Sequence, residues 1–251
     1  MTTRTLYMIR HGQYDTSTKT VDGGSLTDIG REQASHAGQA VARIPVDIIH
    51  ASTMTRAIET ANIIAEQVQA EYKTYDVIRE AIPTIPPRIA SEILQFMEND
   101  PLFTHDTIHQ DKKRVDQAFE QFFSAPAEDA QSSHELLVCH GNIMRYLVCR
   151  ALDINVDTWA KMNINHCGST IITVDSVAVI NTTSGDRLNM RNTPALNGAI
   201  IARVDSGVRV VITDGPVTSD GFTWWEVRLP TGQSGWMVER AEGVQTLLPT
   251  G

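Results

Sequence analysis

At 251 residues and 27.7 kDa the chain is long enough to bury a full α/β core and still carry a small second domain. Its 41% hydrophobic and 20% charged residues place it among soluble globular proteins. The formal charge of −9 argues against a nucleic-acid surface, which needs a basic face. The first strand is expected over residues 5–9, where the apolar run Leu6-Tyr7-Met8-Ile9 ends in Arg10-His11-Gly12. Thr27 caps a helix with Ile29, Ala34, Ala37, Val41 and Ile44 on one stripe. A second strand, residues 47–51, precedes Ser52 and a helix from about Thr55, whose apolar face carries Ala57, Ile58, Ala61, Ile64, Ala65 and Val68. Residues 72–76 form a third strand, and Glu80 follows it on a loop at the same sheet end. Pro83, Pro86 and Pro87 exclude regular helix or a central strand from residues 82–87, which are expected to loop over or near the sheet edge.

A third helix is read from Val115, Ala118, Phe119, Phe122 and Phe123. The fourth strand, residues 135–139, runs through Leu136-Leu137-Val138 into Cys139-His140-Gly141. A helix then starts at Asn142 with Ile143, Met144, Leu147, Val148 and Ala151 inward, and residues 170–174 form a fifth strand. Strands alternating with helical periods are the pattern of βαβ units. After about Thr183 the helical period disappears. Short alternating runs at 199–202, 209–212, 224–228 and 235–238 are separated by Asp205-Ser206-Gly207, Asp214-Gly215-Pro216, Ser219-Asp220-Gly221 and Pro230-Thr231-Gly232, as in a small antiparallel barrel. Leu188-Asn189-Met190-Arg191, Gly207-Val208-Arg209-Val210, Trp225-Glu226-Val227 and Gly235-Trp236 resemble the bacterial SH3-like domain over most of residues 185–245. Trp224, Trp225 and Trp236 are expected to divide between core and surface, and the resemblance implies a cell-wall or peptide ligand for the module, the peptide being favoured where no signal peptide is read. Val177-Ala178-Val179-Ile180 is a candidate last strand of the first sheet, with a polar linker at residues 182–185.

Cys139, Cys149 and Cys167 form no CxxC pair, so neither a disulfide framework nor a zinc site is indicated and a reducing compartment is expected. No stretch approaches the roughly 18 apolar residues of a membrane span. The first strand also begins too early to leave room for a signal peptide, so a cytoplasmic protein without a membrane partner is expected.

Two strands that each end in His-Gly suit a parallel sheet, whose chemistry gathers outside the carboxyl ends of its strands. His11 and His140 would share one pocket there, with Arg10 beside them and Arg56 entering from a helix start. Two guanidiniums and two imidazoles surround a phosphate with donors, so no metal or organic cofactor is needed to neutralise it. Glu80 is the candidate proton donor. Ser52 serves either the phosphate or the helix cap, while Glu59 and Thr60 are expected to pair locally. His36, His50, His105, His109, His134 and His166 show no metal-ligand spacing and are taken as core or surface residues. Cys139 is expected to be a buried structural thiol, and Lys112-Lys113-Arg114 either steers a phosphorylated protein or forms a solvated face.

Arg10-His11-Gly12-Gln13, Leu26-Thr27-Asp28-Ile29-Gly30, Ser52 with Arg56-Ala57-Ile58-Glu59-Thr60, Glu80, and His140-Gly141-Asn142 together resemble the histidine phosphatase (phosphoglycerate mutase-like) superfamily over about residues 3–175. Tyr14, Gly30-Arg31-Glu32-Gln33-Ala34, Arg79-Glu80 and residues 139–152 look like its mutase-related serine/threonine phosphatase branch. The resemblance implies a three-layer α/β/α domain with a mostly parallel sheet over residues 1–182, followed by the SH3-like barrel over residues 183–251. It also implies phosphomonoester hydrolysis through a phosphohistidine. His11 would be the nucleophile and Glu80 the acid and base, with Arg10, Arg56 and His140 on the phosphoryl oxygens. Gly12, Gln13 and Gly141 would join them in binding a phosphorylated small molecule or phosphoprotein. The membrane anchor of that branch has no counterpart before residue 5, and the run into the barrel leaves its homodimer contacts open. A mutase or sugar-phosphate phosphatase of the same fold is the alternative, the mutase weakened by the mere sixty or so residues between Glu80 and His140. A phosphate-pocket scaffold that binds partners through the barrel would not need the full catalytic set.

Overall fold

The computed structural model describes residues 3–17, 20, 22–99, 104–126, 131–175, 177–183 and 185–250, so part of the expected linker at 182–185 lies outside the described residues. One compact unit comprises Thr5–Ser124 and Ser133–Thr173, and the chain after Thr173 builds the core of a second. In the first, β1 (Arg4–Arg10) is followed by α1 (Asp28–Val41), β2 (Ile48–Ser52), α2 (Thr55–Val68) and β3 (Tyr72–Tyr75). A 3-10 turn at Asp76–Ile78 and an irregular stretch lead to α3 (Ala90–Asn99) and α4 (His105–Phe122), then β4 (Ser133–Cys139), α5 (Gly141–Ala151) and β5 (Ser169–Val174).

The strand order is β3-β2-β4-β1-β5. β2 runs parallel to β3 and β4, with Ile49 opposite both Tyr72 and Leu136. The ends of β1 and β4 lie side by side, the His11 N–H donating to the Cys139 carbonyl at 3.0 Å. β5 runs the other way: Arg10 N–H donates to Gly168 at 3.1 Å and Cys167 N–H returns to Arg10 at 3.0 Å, joining the end of β1 to the start of β5. The alternation of the strands makes three layers. Ile49, Ala51, Leu136 and Val138 pack with Val41 of α1 and Ala57, Ala61 and Ile64 of α2. Burying each of the larger side chains contributes about 2 kcal/mol. His50, between Ile49 and Ala51, faces the opposite side, where its ring meets Phe122 of α4 at 4.9 Å.

Thr27 caps α1 as expected, its hydroxyl oxygen accepting the Gly30 N–H at 3.0 Å. The buried stripe is Gly30, Ala34, Gly38 and Val41, which leaves Ile29 56% exposed, against expectation. α4 begins ten residues before Val115, at a capping box on Thr104. Its first turns are polar apart from the buried Ile108, so the apolar period shows only in its second half. α3, which buries Ile93, answers to no expected element.

In the second unit β6 (Val177–Ile180), β7 (Arg187–Arg191), β8 (Ile200–Asp205), β9 (Arg209–Ser219), β10 (Phe222–Arg228) and β11 (Ser234–Val238) are followed by β12 (Arg240–Ala241), β13 (Val244–Gln245) and β14 (Leu247–Thr250). An antiparallel sheet of order β14-β6-β9-β10-β11-β7-β8 encloses Ile180, Met190, Trp224, Val227, Met237 and Leu247. Asp220-Gly221 makes the expected hairpin, both residues at positive φ (53° and 78°) with Ser219 facing Phe222. Asp214-Gly215-Pro216 is not a turn between strands. It is an irregularity inside the long β9, where Gly215 lies so close to β10 that a Cβ would come within 2.9 Å of the Trp225 ring. Of the tryptophans, Trp224 is core, while Trp225 and Trp236 are half-buried, Trp225 donating to Glu239 at 2.9 Å. The candidate strand at 177–180 pairs with β9 and β14, so hydrogen bonding assigns it to this sheet and not to the first.

Candidate active site

The carboxyl ends of neighbouring strands supply the site: β1 brings Arg10 and leads into His11, β2 ends in Ser52, β4 leads into His140, and Glu80 follows β3 and its 3-10 turn. His11 is buried, its Nδ1–H donating to the Gly12 carbonyl at 2.8 Å while Nε2 accepts from Arg56 Nε–H at 3.0 Å. A guanidinium has only donors, so the ring proton sits on Nδ1 and the lone pair on Nε2. Burial, with Arg56 and Arg10 nearby and the Gly12 bond opposing, pushes the His11 pKa down to about 3. His11 is therefore a neutral imidazole with its Nε2 lone pair toward a guanidinium.

Ser52 Oγ accepts from Met54 N–H at 3.3 Å and shares a hydrogen bond with His140 Nε2 at 2.8 Å. With the Ser52 hydroxyl as the donor in that bond, the N–H of His140 is on Nδ1. Burial, and after it His11 and Arg56, holds His140 well below the usual histidine range. His140 Nδ1 and Arg10 Nε are both buried without a partner. An unpaired buried donor costs about 1–3 kcal/mol, more when charged, so two in one pocket mark the place of an acceptor that bears negative charge. The two histidine rings are 5.0 Å apart, and at Gly141 a Cβ would stand 3.3 Å from Arg10 Nε, so glycine keeps that donor's approach open.

Glu80 accepts the Ala81 N–H at 3.1 Å and a backbone N–H from Asn142 at the start of α5. Burial nevertheless raises its carboxyl above the ordinary range, opposed by these bonds and by Arg56. The carrying loop is fixed from a distance. Arg114 of α4 donates to the carbonyls of Asp76, Val77, Arg79 and Glu80 at 2.8–3.2 Å, and Asn142 Nδ2 donates to Ala81 at 3.1 Å. Arg114 thus belongs to neither role expected of the basic run: it holds the loop that carries Glu80. Sequence gave no sign of this, since the partners lie about 35 residues apart.

Gly12 and Gln13 sit at the pocket, yet the contacts they make are within the protein. Gly12 N–H donates to Thr60 Oγ1 at 3.0 Å, Thr60 donates on to Arg56 at 2.7 Å, and a Cβ on Gly12 would meet the Gly30 carbonyl at 2.5 Å. Gln13 Oε1 accepts from Thr27 at 2.9 Å, and its N–H donates to Gln33. Glu59 does not pair with its helix neighbours as expected but reaches 33 residues back, accepting the Leu26 N–H at 2.7 Å. Cys139 is buried and its thiol is pushed up by burial, in keeping with a structural role. Two further residues enter the pocket: Tyr14, whose ring lies edge-on to His11 at 5.2 Å and 4.5 Å beneath the Arg56 guanidinium, and His166, 5.6 Å from the His11 ring. Among the described residues no group of three or more His, Cys, Asp or Glu is arranged to hold a metal, and no helix is long and apolar enough to cross a membrane.

Residues 6–182 match the histidine phosphatase superfamily (branch 1), and residues 186–241 match the bacterial SH3 domain. The chain is 35% identical over 179 residues to the serine/threonine-protein phosphatase Pgam5, mitochondrial, of Drosophila grimshawi, covering 69% of this chain and 59% of that protein. It is 35% identical over 176 residues to the Xenopus laevis protein of the same description, covering 68% and 61%. It therefore spans about three fifths of the length of these curated relatives. Among solved structures it is similar to a putative alpha-ribazole-5'-P phosphatase from Escherichia coli (TM-score 0.53, 17% identity, covering 71% of this chain and 92% of that one). It is equally similar to Bacillus stearothermophilus YhfR (TM-score 0.53, 20% identity, covering 72% and 93%). At such identities the structures speak for the fold alone. The chain belongs to branch 1 of the histidine phosphatase superfamily over residues 6–182, and residues 186–241 belong to the bacterial SH3 domain.

Proposed function

We propose that the protein hydrolyses phosphomonoesters in two steps through a phosphohistidine on His11. The observation that carries this is the neutral His11 with its Nε2 lone pair on Arg56, beside the unpaired donors Arg10 Nε and His140 Nδ1. In the first step Nε2 attacks phosphorus in line with the ester oxygen, the N–P bond forms as the P–O bond breaks, and the Glu80 proton passes to the leaving alkoxide. Arg10, Arg56 and His140 take the charge on the three equatorial oxygens. In the second step the Glu80 carboxylate removes a proton from water as its oxygen bonds to phosphorus. The P–N bond breaks, releasing inorganic phosphate and restoring neutral His11 and protonated Glu80. The likeness to proteins described as serine/threonine phosphatases supports phosphoserine and phosphothreonine proteins as substrates, with small phosphate esters sharing the same reacting group. The barrel would then bind a peptide or protein partner, the kind of role its family suggests.

Acid-quenched turnover of a labelled ester tests the central step. Acid-labile, alkali-stable phosphate should appear on the wild type and be absent from His11→Ala, whose turnover should fall about a thousandfold or more. Wild-type-like turnover by folded His11→Ala protein would sink the mechanism.

A further inference from the structure

We propose that His166 is a third substrate-contacting histidine of this pocket, donating a hydrogen bond to the phosphoryl group from the pocket's mouth. The inference rests on the phosphoryl reading above. Its ring stands 5.6 Å from that of His11, nearly as near as His140 at 5.0 Å. His11, Arg56 and His140 are buried, whereas His166 is partly open to solvent, so it stands between the deep donors and the water a substrate must cross.

The turn that carries His166 is fixed in place by the phosphate-binding arginine itself. Arg10 N–H donates to Gly168 at 3.1 Å, Cys167 N–H donates to the Arg10 carbonyl at 3.0 Å, and Arg10 Nη1 donates to the Ile164 carbonyl at 2.6 Å. Arg145 of α5 holds the approach to the turn, donating to the Met162 carbonyl at 2.8 Å. Cys167 adopts left-handed backbone with φ 54°, and at Gly168 a Cβ would come within 2.8 Å of the Asn165 carbonyl. A non-glycine residue is held in that conformation only where surrounding bonds over-determine it, and such positions cluster where a side chain must be aimed. A histidine that merely covers surface needs no such turn.

Partial burial, with Arg10 and Arg56 nearby, keeps His166 below the ordinary histidine range, so at neutral pH it offers one N–H donor and one lone pair. The same two arginines are the groups proposed to bind phosphate, and their reach to His166 places it beside the phosphoryl site. A neutral N–H adds a donor there without adding a third fixed charge. In this it is like His140, but the His140 ring is buried against Ser52 whereas His166 is partly open to solvent.

Calorimetric titration of the full chain with inorganic phosphate, paired with turnover of p-nitrophenyl phosphate and phosphoserine, tests the assignment. His166→Ala should weaken phosphate binding about ten- to thirtyfold, as expected for a lost hydrogen bond to a charged group, and lower kcat/KM for both esters by a similar factor. His166→Asn, which keeps an N–H donor, should recover at least a third of the wild-type affinity, and both variants should melt with the wild type. Unchanged phosphate affinity in His166→Ala overturns the inference, as does a loss confined to one ester, which would put the ring on the leaving group. A lowered melting temperature in both variants overturns it too, by making the role structural. If the wild type itself binds no phosphate, the phosphoryl reading falls first.

Discussion

Arg56 is the side chain on which most constraints of the pocket converge. Its Nε holds the His11 lone pair, its guanidinium lies 4.5 Å over the Tyr14 ring, and Gly23 leaves room for its Nη1. Gly23 has φ +75°, and a Cβ there would stand 2.4 Å from that nitrogen. Glycine is thus required twice, by conformation and by close approach. Gly23→Ala should push the guanidinium aside and lower kcat/KM about ten- to a hundredfold, while the positive φ alone costs about 1 kcal/mol of stability. Steady-state kinetics with a thermal melt check this, and full activity in the variant would show that Arg56 is not held by this contact. The sequence pointed to Arg56 because it begins a helix after a strand, which is a local pattern. Gly23 was hidden because what makes it matter is a side chain 33 residues further along the chain.

At the scale of elements, the parts that were legible are those with a period or an end. The strands that lead into His11 and His140 and the helix cap at Thr27 announce themselves by alternation and capping chemistry. The element that carries Glu80 has neither: it is an irregular loop whose shape comes from Arg114 on α4 and from the start of α5. The turn bearing His166 is likewise built by bonds to Arg10, so spacing in sequence could only leave that histidine among the bland ones. The placement of Glu80 has a kinetic consequence. A carboxyl raised by burial stays protonated to higher pH than an exposed one, so its acid role is present at low pH and is lost as pH rises through the raised pKa. The neutral form of His11, with its pKa near 3, imposes no acid limb above about pH 4. Phosphoserine turnover should therefore fall on the alkaline side, and Glu80→Gln should remove that limb and cost about a hundredfold or more. The same variant should lose much less in the first step with an aryl phosphate, whose oxygen leaves unassisted. Equal losses of the chemical-step rate on both substrates would move the acid role to another residue.

For the molecule as a whole, the pairing of β6 decides where the catalytic unit can be cut. Val177–Ile180 lies between β9 and β14, with Ala178 and Ile180 in the barrel core, so it depends on strands that come after it. All five residues assigned to the chemistry lie before Gly141, and β5, the last strand of the first sheet, ends at Val174. Sequence pattern alone suggested a division near residue 182, because an apolar four-residue run fits either sheet by period and only its partners tell them apart. A chain ending at Asp175 should fold and hydrolyse p-nitrophenyl phosphate within about twofold of the full-length rate, since it keeps every strand of its own sheet. A chain ending at Asn181 should behave worse, because it retains β6 as an unpaired apolar strand whose exposed edge invites association. Size-exclusion chromatography and turnover per folded molecule separate the two. If the shorter chain is well folded yet loses most of its activity on this small substrate, the barrel contributes to the pocket itself, and the chemistry does not belong to the first unit alone.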